Sequence, residues 1–265
     1  MLIAQITDTH VRRKGDLVHH MIRTARELRR AVAAINRLEP RPDYVVATGD
    51  LVDRGKRKEY RRLHAILAEL AVPCFLVAGN HDDHDGLREE FAAHAYLPRR
   101  GPLHYVVESR PVRLVVLDTT RGRKPGGELD GAKLRWLDER LAEAAATPTI
   151  VAMHHPPFDV GIPPVDAHPL RGRDALAAVI AGHPQVVRLI AGHIHRAAEV
   201  PFGGSVASTA PSTAHQLVVD RAPSGAYVVR VEQPAFALHR WNGRTLTTTI
   251  VPTTEAEVPK LRAVS

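Results

Sequence analysis

From its N-terminus the chain alternates short apolar runs with longer stretches of helical spacing. "LIAQI" (2–6) has the length and continuity of a buried strand. Between His19 and Leu38, the positions Met21, Ile22, Ala25, Leu28, Val32, Ile35 and Leu38 recur at helical intervals and predict a helix. "DYVVATGD" predicts a strand ending in Gly49-Asp50. Tyr60, Leu63, Ile66, Leu67 and Leu70 predict a second helix, and "CFLVAGNHD" a third strand broken at Gly79. This β-α-β-α-β order implies parallel strands joined by right-handed crossovers. Further strands are expected at "HYVVES", "VRLVVLD" and "TIVAMHH", with a helix over 131–144 between the last two. "DALAAVIAG" predicts a helix before the strand "QVVRLIAGH". Beyond residue 197 the pieces are strand-like: "SVAST", "AYVVRVEQ", "AFALHRW" and "TLTTTIV". The pattern gives an α/β portion over 1–215, a β-rich portion over 216–252 that completes the domain, and a tail over 253–265. "AYVVRVEQPAFALHRW" reads as an apolar edge to be covered by self-association, in a dimer or larger homo-oligomer.

Each expected parallel strand runs into a polar cluster. The clusters are Asp8-Thr9-His10, Gly49-Asp50, Gly79-Asn80-His81-Asp82, His154-His155 and Gly192-His193-Ile194-His195. Ligands of open α/β sheets bind beyond the carboxyl ends of the strands, so these clusters are expected to converge. His193 and His195 lie two apart in extended chain and face one spot. Asp, His and Asn without a thiolate suit Fe, Mn, Zn or Co in a reactive centre better than a structural zinc cage.

Composition narrows the classes. With 265 residues, 44% apolar and 25% charged, the chain can bury a full core. No apolar run approaches the ~20 residues that span a bilayer, and "MLIAQI" is too short for a signal-peptide core. A membrane partner is therefore not expected. Cys74 is the only cysteine, which excludes an intrachain disulfide and makes the cytoplasm the expected location. The formal charge of +7 suits an anionic partner. Its arginines are dispersed in "RTARELRR", "KRKEYRR" and "LPRRG", two of them on predicted helices beside glutamates. Solvated helix faces are the preferred reading, and nucleic acid is not expected as a partner.

The blocks "DTH", "GDLVDRG", "GNHD", "HH" and "GHIH" occur in the order of the calcineurin-like metallophosphoesterases, which the chain resembles over residues 1 to about 240. "HHPPFDVGIPPVDAHPL" and "STAPSTAHQLVVD" resemble the bacterial branch of glycerophosphodiesterases and class III cyclic nucleotide phosphodiesterases. The resemblance implies a four-layer αββα sandwich of two mixed β-sheets flanked by helices. It implies two divalent transition-metal ions per chain, one on Asp8, His10 and His195 and the other on Asn80, His154 and His193, with Asp50 bridging. A hydroxide between the ions would attack phosphorus in line with the leaving alkoxide. A net site charge of about +1 would match a monoanionic diester better than a dianionic monoester. His81 would stabilise or protonate the reacting group, with Asp82 orienting it. Asn80, His81, His215, Phe158 and Asp166 would contact a small phosphodiester, a cyclic nucleotide or a glycerophosphodiester. A metal-dependent nuclease of the same superfamily is the alternative enzyme, and a non-catalytic scaffold the alternative of another class. A scaffold would be expected to lose ligand histidines, and this chain keeps them.

Other residues carry weaker readings. Asp53 reads equally as an N-cap or as a support for a ligand histidine. His155 reads as structural or as a donor that supports a ligand, and Arg54 as a surface residue. His19, His168 and the remaining histidines show no partner pattern, Cys74 reads as an inert core thiol, and Trp136 and Trp241 as packing residues.

Overall fold

The computed structural model describes residues 1–218, 228–230 and 232–254. Strands β1 (Leu2–Ile6), β2 (Tyr44–Thr48) and β3 (Cys74–Val77) are parallel neighbours, with α1 (Thr24–Asn36) and α2 (Arg57–Leu67) as the crossovers. After α3 (His84–Glu90) come β4 (Tyr105–Val107), β5 (Arg113–Val116), α4 (Gly131–Ala142) and β6 (Thr149–Ala152). Then follow α5 (Pro163–Asp166), α6 (Arg173–Ala181), β7 (Val186–Ala191), β8 (Ala198–Phe202) and β9 (Ser205–Thr209). The C-terminal strands are β10 (Gln216–Val218), β11 (Val228–Arg230), β12 (Ala235–Trp241) and β13 (Leu246–Pro252).

Two mixed sheets result, ordered β13-β12-β1-β2-β3 and β4-β5-β6-β7-β9-β8, with β10 and β11 paired apart. The period-2 alternation of the second sheet divides its side chains between two cores. Leu114, Val116, Ile150, Ala152 and Ile190 face the core shared with the first sheet. Their neighbours Val115, Leu117, Val151, Met153, Leu189 and Ala191 join Leu137, Leu141, Leu176 and Ile180 of α4 and α6. On the far side of the first sheet, Leu28, Val32 and Ile35 of α1 and Leu63 and Ile66 of α2 are buried. This is the expected αββα sandwich. Among the described residues no helix is long and apolar enough to cross a membrane.

Some elements depart from the sequence reading. The first helix starts at Thr24, not near His19, because Val18 and Ile22 exchange backbone hydrogen bonds at 3.0 and 2.9 Å. That closed turn holds His19 and His20 at φ +47° and +59° and leaves Met21 66% exposed. The short helices α3 and α5 and strands β8 and β10 lack the length or periodicity that reads as an element. "AFALHRW" is not an edge: β12 lies between β1 and β13, so its ladder is paired on both sides within the chain. Residues 226, 227 and 231 of the adjoining "AYVVRVEQ" lie outside the described residues.

A polar bridge ties the sheets together just below the strand ends. Gln5 Nε2 donates to Thr48 Oγ1 and to the Ala191 carbonyl of the opposite sheet, both at 2.9 Å. Its Oε1 faces His239 Nε2 at 3.0 Å, and His239 Nδ1 lies 2.9 Å from Thr248 Oγ1. Burial, then the Arg188 charge, pushes His239 down to about 3, so the ring is neutral and donates through Nε2. Gln5→Leu would leave the His239 donor buried without a partner and the Ala191 carbonyl with only the Ala210 N–H at 3.3 Å. The expected loss is about 2–3 kcal/mol in urea unfolding, and a loss under about 0.5 kcal/mol would contradict the bridge's role.

Candidate metal centre

Each donor sits immediately past a strand, where the chain leaves the ladder and turns sharply. Asp8, His10, Asp50, His193 and His195 all have φ between +40° and +73°, a region that costs non-glycine residues energy and is tolerated where surroundings enforce it. The turns interlock. Asp8 N donates to the Gly49 carbonyl at 3.0 Å and His10 N to the Asp50 carbonyl at 2.9 Å. His193 N donates to both Asp8 carboxylate oxygens, at 3.1 and 3.0 Å. Two glycines permit the approach: a Cβ on Gly79 would lie 2.1 Å from Asp50 N, and one on Gly192 would lie 2.0 Å from Thr7 Oγ1.

Asp50 is central. Its Oδ1 accepts from His81 N at 2.8 Å and faces His154 Nε2 at 3.5 Å, while Oδ2 lies 3.7 Å from His10 Nε2 and 4.0 Å from His81 Nε2. On one side, His195 Nε2 lies 3.2 Å from His10 Nε2 and 3.4 Å from Asp8 Oδ1. On the other, His154 Nε2 lies 3.2 Å from Asn80 Oδ1, and the His154 and His193 rings are 5.1 Å apart. All seven expected ligands are therefore brought together, in two groups that share Asp50.

The far sides of the rings fix their tautomers. His154 Nδ1 faces the Thr48 carbonyl at 2.8 Å and His195 Nδ1 the His215 carbonyl at 3.0 Å. Each Nδ1 must donate, which leaves Nε2 aimed inward: a lone pair on the neutral His195 ring, and on His154 a proton that a metal ion would displace. Burial, then the His154 charge, holds His193 down at about 3, and burial holds His195 at about 4. At His10 burial is outweighed by Asp53, Asp50 and Asp8, which raise it. At His154 burial is outweighed chiefly by Asp50, which raises it to about 9. Despite burial, His154, His81 and His10 keep the Asp50 carboxylate well below its usual range. Buried Asp8 and Asp50 thus demand positive charge, and divalent ions would meet that demand by replacing ring protons. The donor set fits such ions: Asp8, His10 and Asp50 offer ligand atoms within 4.8 Å of one another, as do His10, His195 and His215.

Three expectations need correction. Asp82 does not orient His81: its carboxylate accepts from Gly79 N, Leu51 N and Val52 N at 2.8–3.2 Å and is buried among backbone donors. Burial, then the Asp50 charge, pushes it up to about 6. The His81 ring is held instead by Nδ1 on the Asp53 carbonyl at 2.8 Å. Asp166 turns back on its own loop, accepting from Val160 N and Gly161 N at 2.9 Å, and Phe158 packs against the second core. The helical turn of α5 presents Pro164 and Val165 to the cavity in their place, with His168 beyond it.

That cavity, of about 410 Å³, is lined by His10, Asp50, Asn80, His81, His193, His195 and His215 on its floor. Asp53 supports it: Oδ1 is 3.5 Å from His10 Nδ1, and Oδ2 accepts from Arg12 at 2.8 Å. His155 is buried against Thr119 Oγ1 at 2.8 Å, and Arg54 is largely exposed outside this cavity. His19 and His168, which carried no pattern in the sequence, also line the cavity, with the His19 and His215 rings 5.4 Å apart.

The sequence profile of the calcineurin-like phosphoesterases matches residues 1–197. The chain is 32% identical over 242 residues to a probable glycerophosphodiester phosphodiesterase, GpdQ, of Arcobacter nitrofigilis, covering 91% of this chain and 89% of that protein. It is 31% identical over 216 residues to the 3',5'-cyclic adenosine monophosphate phosphodiesterase CpdA of Escherichia coli, covering 81% and 76%. A solved dimetal phosphatase from Danio rerio shares the fold with a TM-score of 0.69 at 18% identity, over 96% of this chain and 97% of that one.

Because Asp50 N and Oδ1 leave no room for a side chain at position 79, Gly79→Ala must displace the Asp50 carboxylate. Manganese affinity, read by calorimetric titration, is expected to fall at least tenfold. Wild-type affinity would show that Asp50 is not held by this approach.

Proposed function

This chain belongs to the calcineurin-like phosphoesterase family, and from that premise we propose that it is a metal-dependent phosphodiesterase acting on small phosphodiesters. The observation that carries the reading is the convergence of Asp8, His10, Asn80, His154, His193 and His195 around the Asp50 carboxylate, with five of these seven residues lining the floor of an open cavity. Cyclic nucleotides and glycerophosphodiesters are the substrate classes named in the relatives, which supports a diester as the substrate here. Asp8, His10 and His195 would hold one divalent ion, Asn80, His154 and His193 a second, and Asp50 both. Bound there, the ions would supply Lewis acidity to the phosphoryl oxygens and make water acidic enough to attack phosphorus near neutral pH.

The protein's own groups do the rest. His154 and His195 turn Nε2 inward because Nδ1 is committed to a carbonyl on each, so Nε2 is the atom that would bind an ion. The side chain of His81 is 39% exposed, with Nδ1 anchored on the Asp53 carbonyl and Nε2 turned toward the cavity. In its imidazolium form that Nε2 can give a proton to the leaving alkoxide. His215 and His19 form the wall beside His10 and bound the space left for the leaving group.

Chelation is expected to abolish hydrolysis of bis(p-nitrophenyl) phosphate, and added Mn or Co to restore it, with kcat/KM well above that for p-nitrophenyl phosphate. Full activity after metal removal would defeat the reading, and a preference for the monoester would remove the diester assignment. His81→Ala is expected to retain its metal content while losing about 10²–10⁴-fold in turnover of alkyl diesters. The loss should shrink for p-nitrophenolate, which leaves without a proton. Equal losses for both leaving groups would make the role electrostatic rather than acidic.

A further inference from the structure

Seven of the arginines and lysines that are scattered in sequence gather in space beside the cavity. Its wall at Val18, His19 and Asp53 continues into an open groove of about 620 Å³ that is also lined by Arg12, Arg13, Asp16, His20 and Arg54. Through Arg13 and Asp16 that groove continues into a second, of about 770 Å³, lined by Arg13, Lys14, Asp16, Arg29, Lys58 and Arg62. Both volumes fall in the range that accommodates small ligands. The contributors come from the loop after β1, from α1 and from α2, which pack side by side, with Arg29 reaching Glu69 at 3.2 Å.

The groove's carboxylates are already committed. Asp16 is held by Arg13 at 2.7 Å and Arg12 at 3.2 Å, and Asp53 by Arg12 at 2.8 Å. Among the described residues, Lys14, Lys58 and Arg62 form no ion pair with a carboxylate. Arg62 gives one N–H to the Arg12 carbonyl at 2.9 Å, and partial burial, then the neighbouring Arg29 charge, lowers its pKa. The outer groove thus holds like charges together with one neutralised acid. Among the described residues no Phe, Tyr or Trp lines either groove, a composition that suits phosphate charge and offers no ring on which a base could stack.

We infer that this groove is a second phosphate subsite, which takes the distal phosphates of an extended, oligonucleotide-like diester whose reacting end lies in the metal centre. The inference rests on the phosphodiesterase reading and extends it from small diesters to substrates carrying several phosphates. Charge at Lys14, Lys58 and Arg62 would then lower KM for such substrates, while the reacting diester and its chemistry stay the same.

The test uses p-nitrophenyl esters of thymidine 5'-phosphate and of the 5'-phosphorylated di- and trithymidylates. In each, water adds to the esterified phosphorus and p-nitrophenolate leaves, so only the number of distal phosphates differs. For the wild-type protein, kcat/KM is expected to rise about tenfold from the mononucleotide to the trinucleotide. The log–log salt dependence should steepen by about 0.7 for each phosphate contacted. In Arg62→Ala, and in the exposed-site variants Lys14→Ala and Lys58→Ala, the trinucleotide-to-mononucleotide ratio should fall toward one. A length-independent kcat/KM in the wild type would overturn the inference, as would a length effect that survives all three substitutions. If no ester is hydrolysed, the phosphodiesterase reading fails separately. Fluorescence anisotropy with fluorescein-labelled, 5'-phosphorylated trithymidylate then judges the groove. Binding weakened by the substitutions would support the subsite, and wild-type-like or absent binding would overturn it.

Discussion

Asp50 is the point at which the strand ends close on one another. Its backbone carbonyl fixes His10 N, its carboxylate fixes His81 N, and the same carboxylate faces His10, His81 and His154. Buried without cations, such a carboxylate would be expelled or protonated, because removing an isolated charge from water costs far more than local packing returns. The surrounding imidazoles overcome that burial and keep it ionised. The requirement propagates outward. Gly79 must lack a side chain, and the Asp82 carboxylate must gather the N–H groups of Gly79, Leu51 and Val52 to hold the loops around it.

The donors are held at an energetic cost. A non-glycine residue in a sparsely populated backbone region costs on the order of 1 kcal/mol or more. Five of the seven donors are of this kind, and together they approach the lower end of the ~5–15 kcal/mol that stabilises a whole domain. The offset comes from the layers beneath. β1, β2, β6 and β7 are buried along nearly their whole length, and the Gln5 bridge locks the sheets just under the turns. A large apolar core is what allows the polar rim to be strained and still fixed in place. Among the described residues, the other two non-glycine residues with positive φ, His19 and His20, lie along the groove that leaves this rim.

Much of the inner site was legible in the sequence because its placement follows from few rules. Apolar runs that alternate with helical periods give parallel strands, and the residues just past such strands meet. Asp8, His10, Asp50, Asn80, His154, His193 and His195 are all positioned that way. Asp82 misled for a reason equally physical. Adjacency to His81 does not say which way a side chain turns, and three unpaired N–H groups nearby outcompeted the ring. Asp166 misled because α5 is a single helical turn, too short to show a period, that presents Pro164 and Val165 inward, and Phe158, ahead of that turn, packs on the second core instead. The basic groove was illegible because its parts are separated by tens of residues. The packing of α1 against α2, rather than any local pattern, brings Arg29 beside Arg62.

These two kinds of legibility reflect a division in the molecule itself. The inner donors follow strands whose hydrogen bonds hold their ends in register, which brings their side chains to one carboxylate. The walls come from segments outside the ladders: Val18 and His19 in a closed turn, Pro125 in a loop, and Pro164, Val165 and His168 around a single helical turn. Such segments can change residue by residue without disturbing the strand register beneath, because few core side chains depend on them. The converging polar groups are therefore tied to the fold's hydrophobic pattern, whereas the cavity walls come from loops and helix faces that the pattern leaves free. The cationic groove follows from the same division. Exposed positions of α1 and α2 can accumulate charge because their opposite faces, with Leu28, Val32, Leu63 and Ile66, already supply the burial that holds the helices in place.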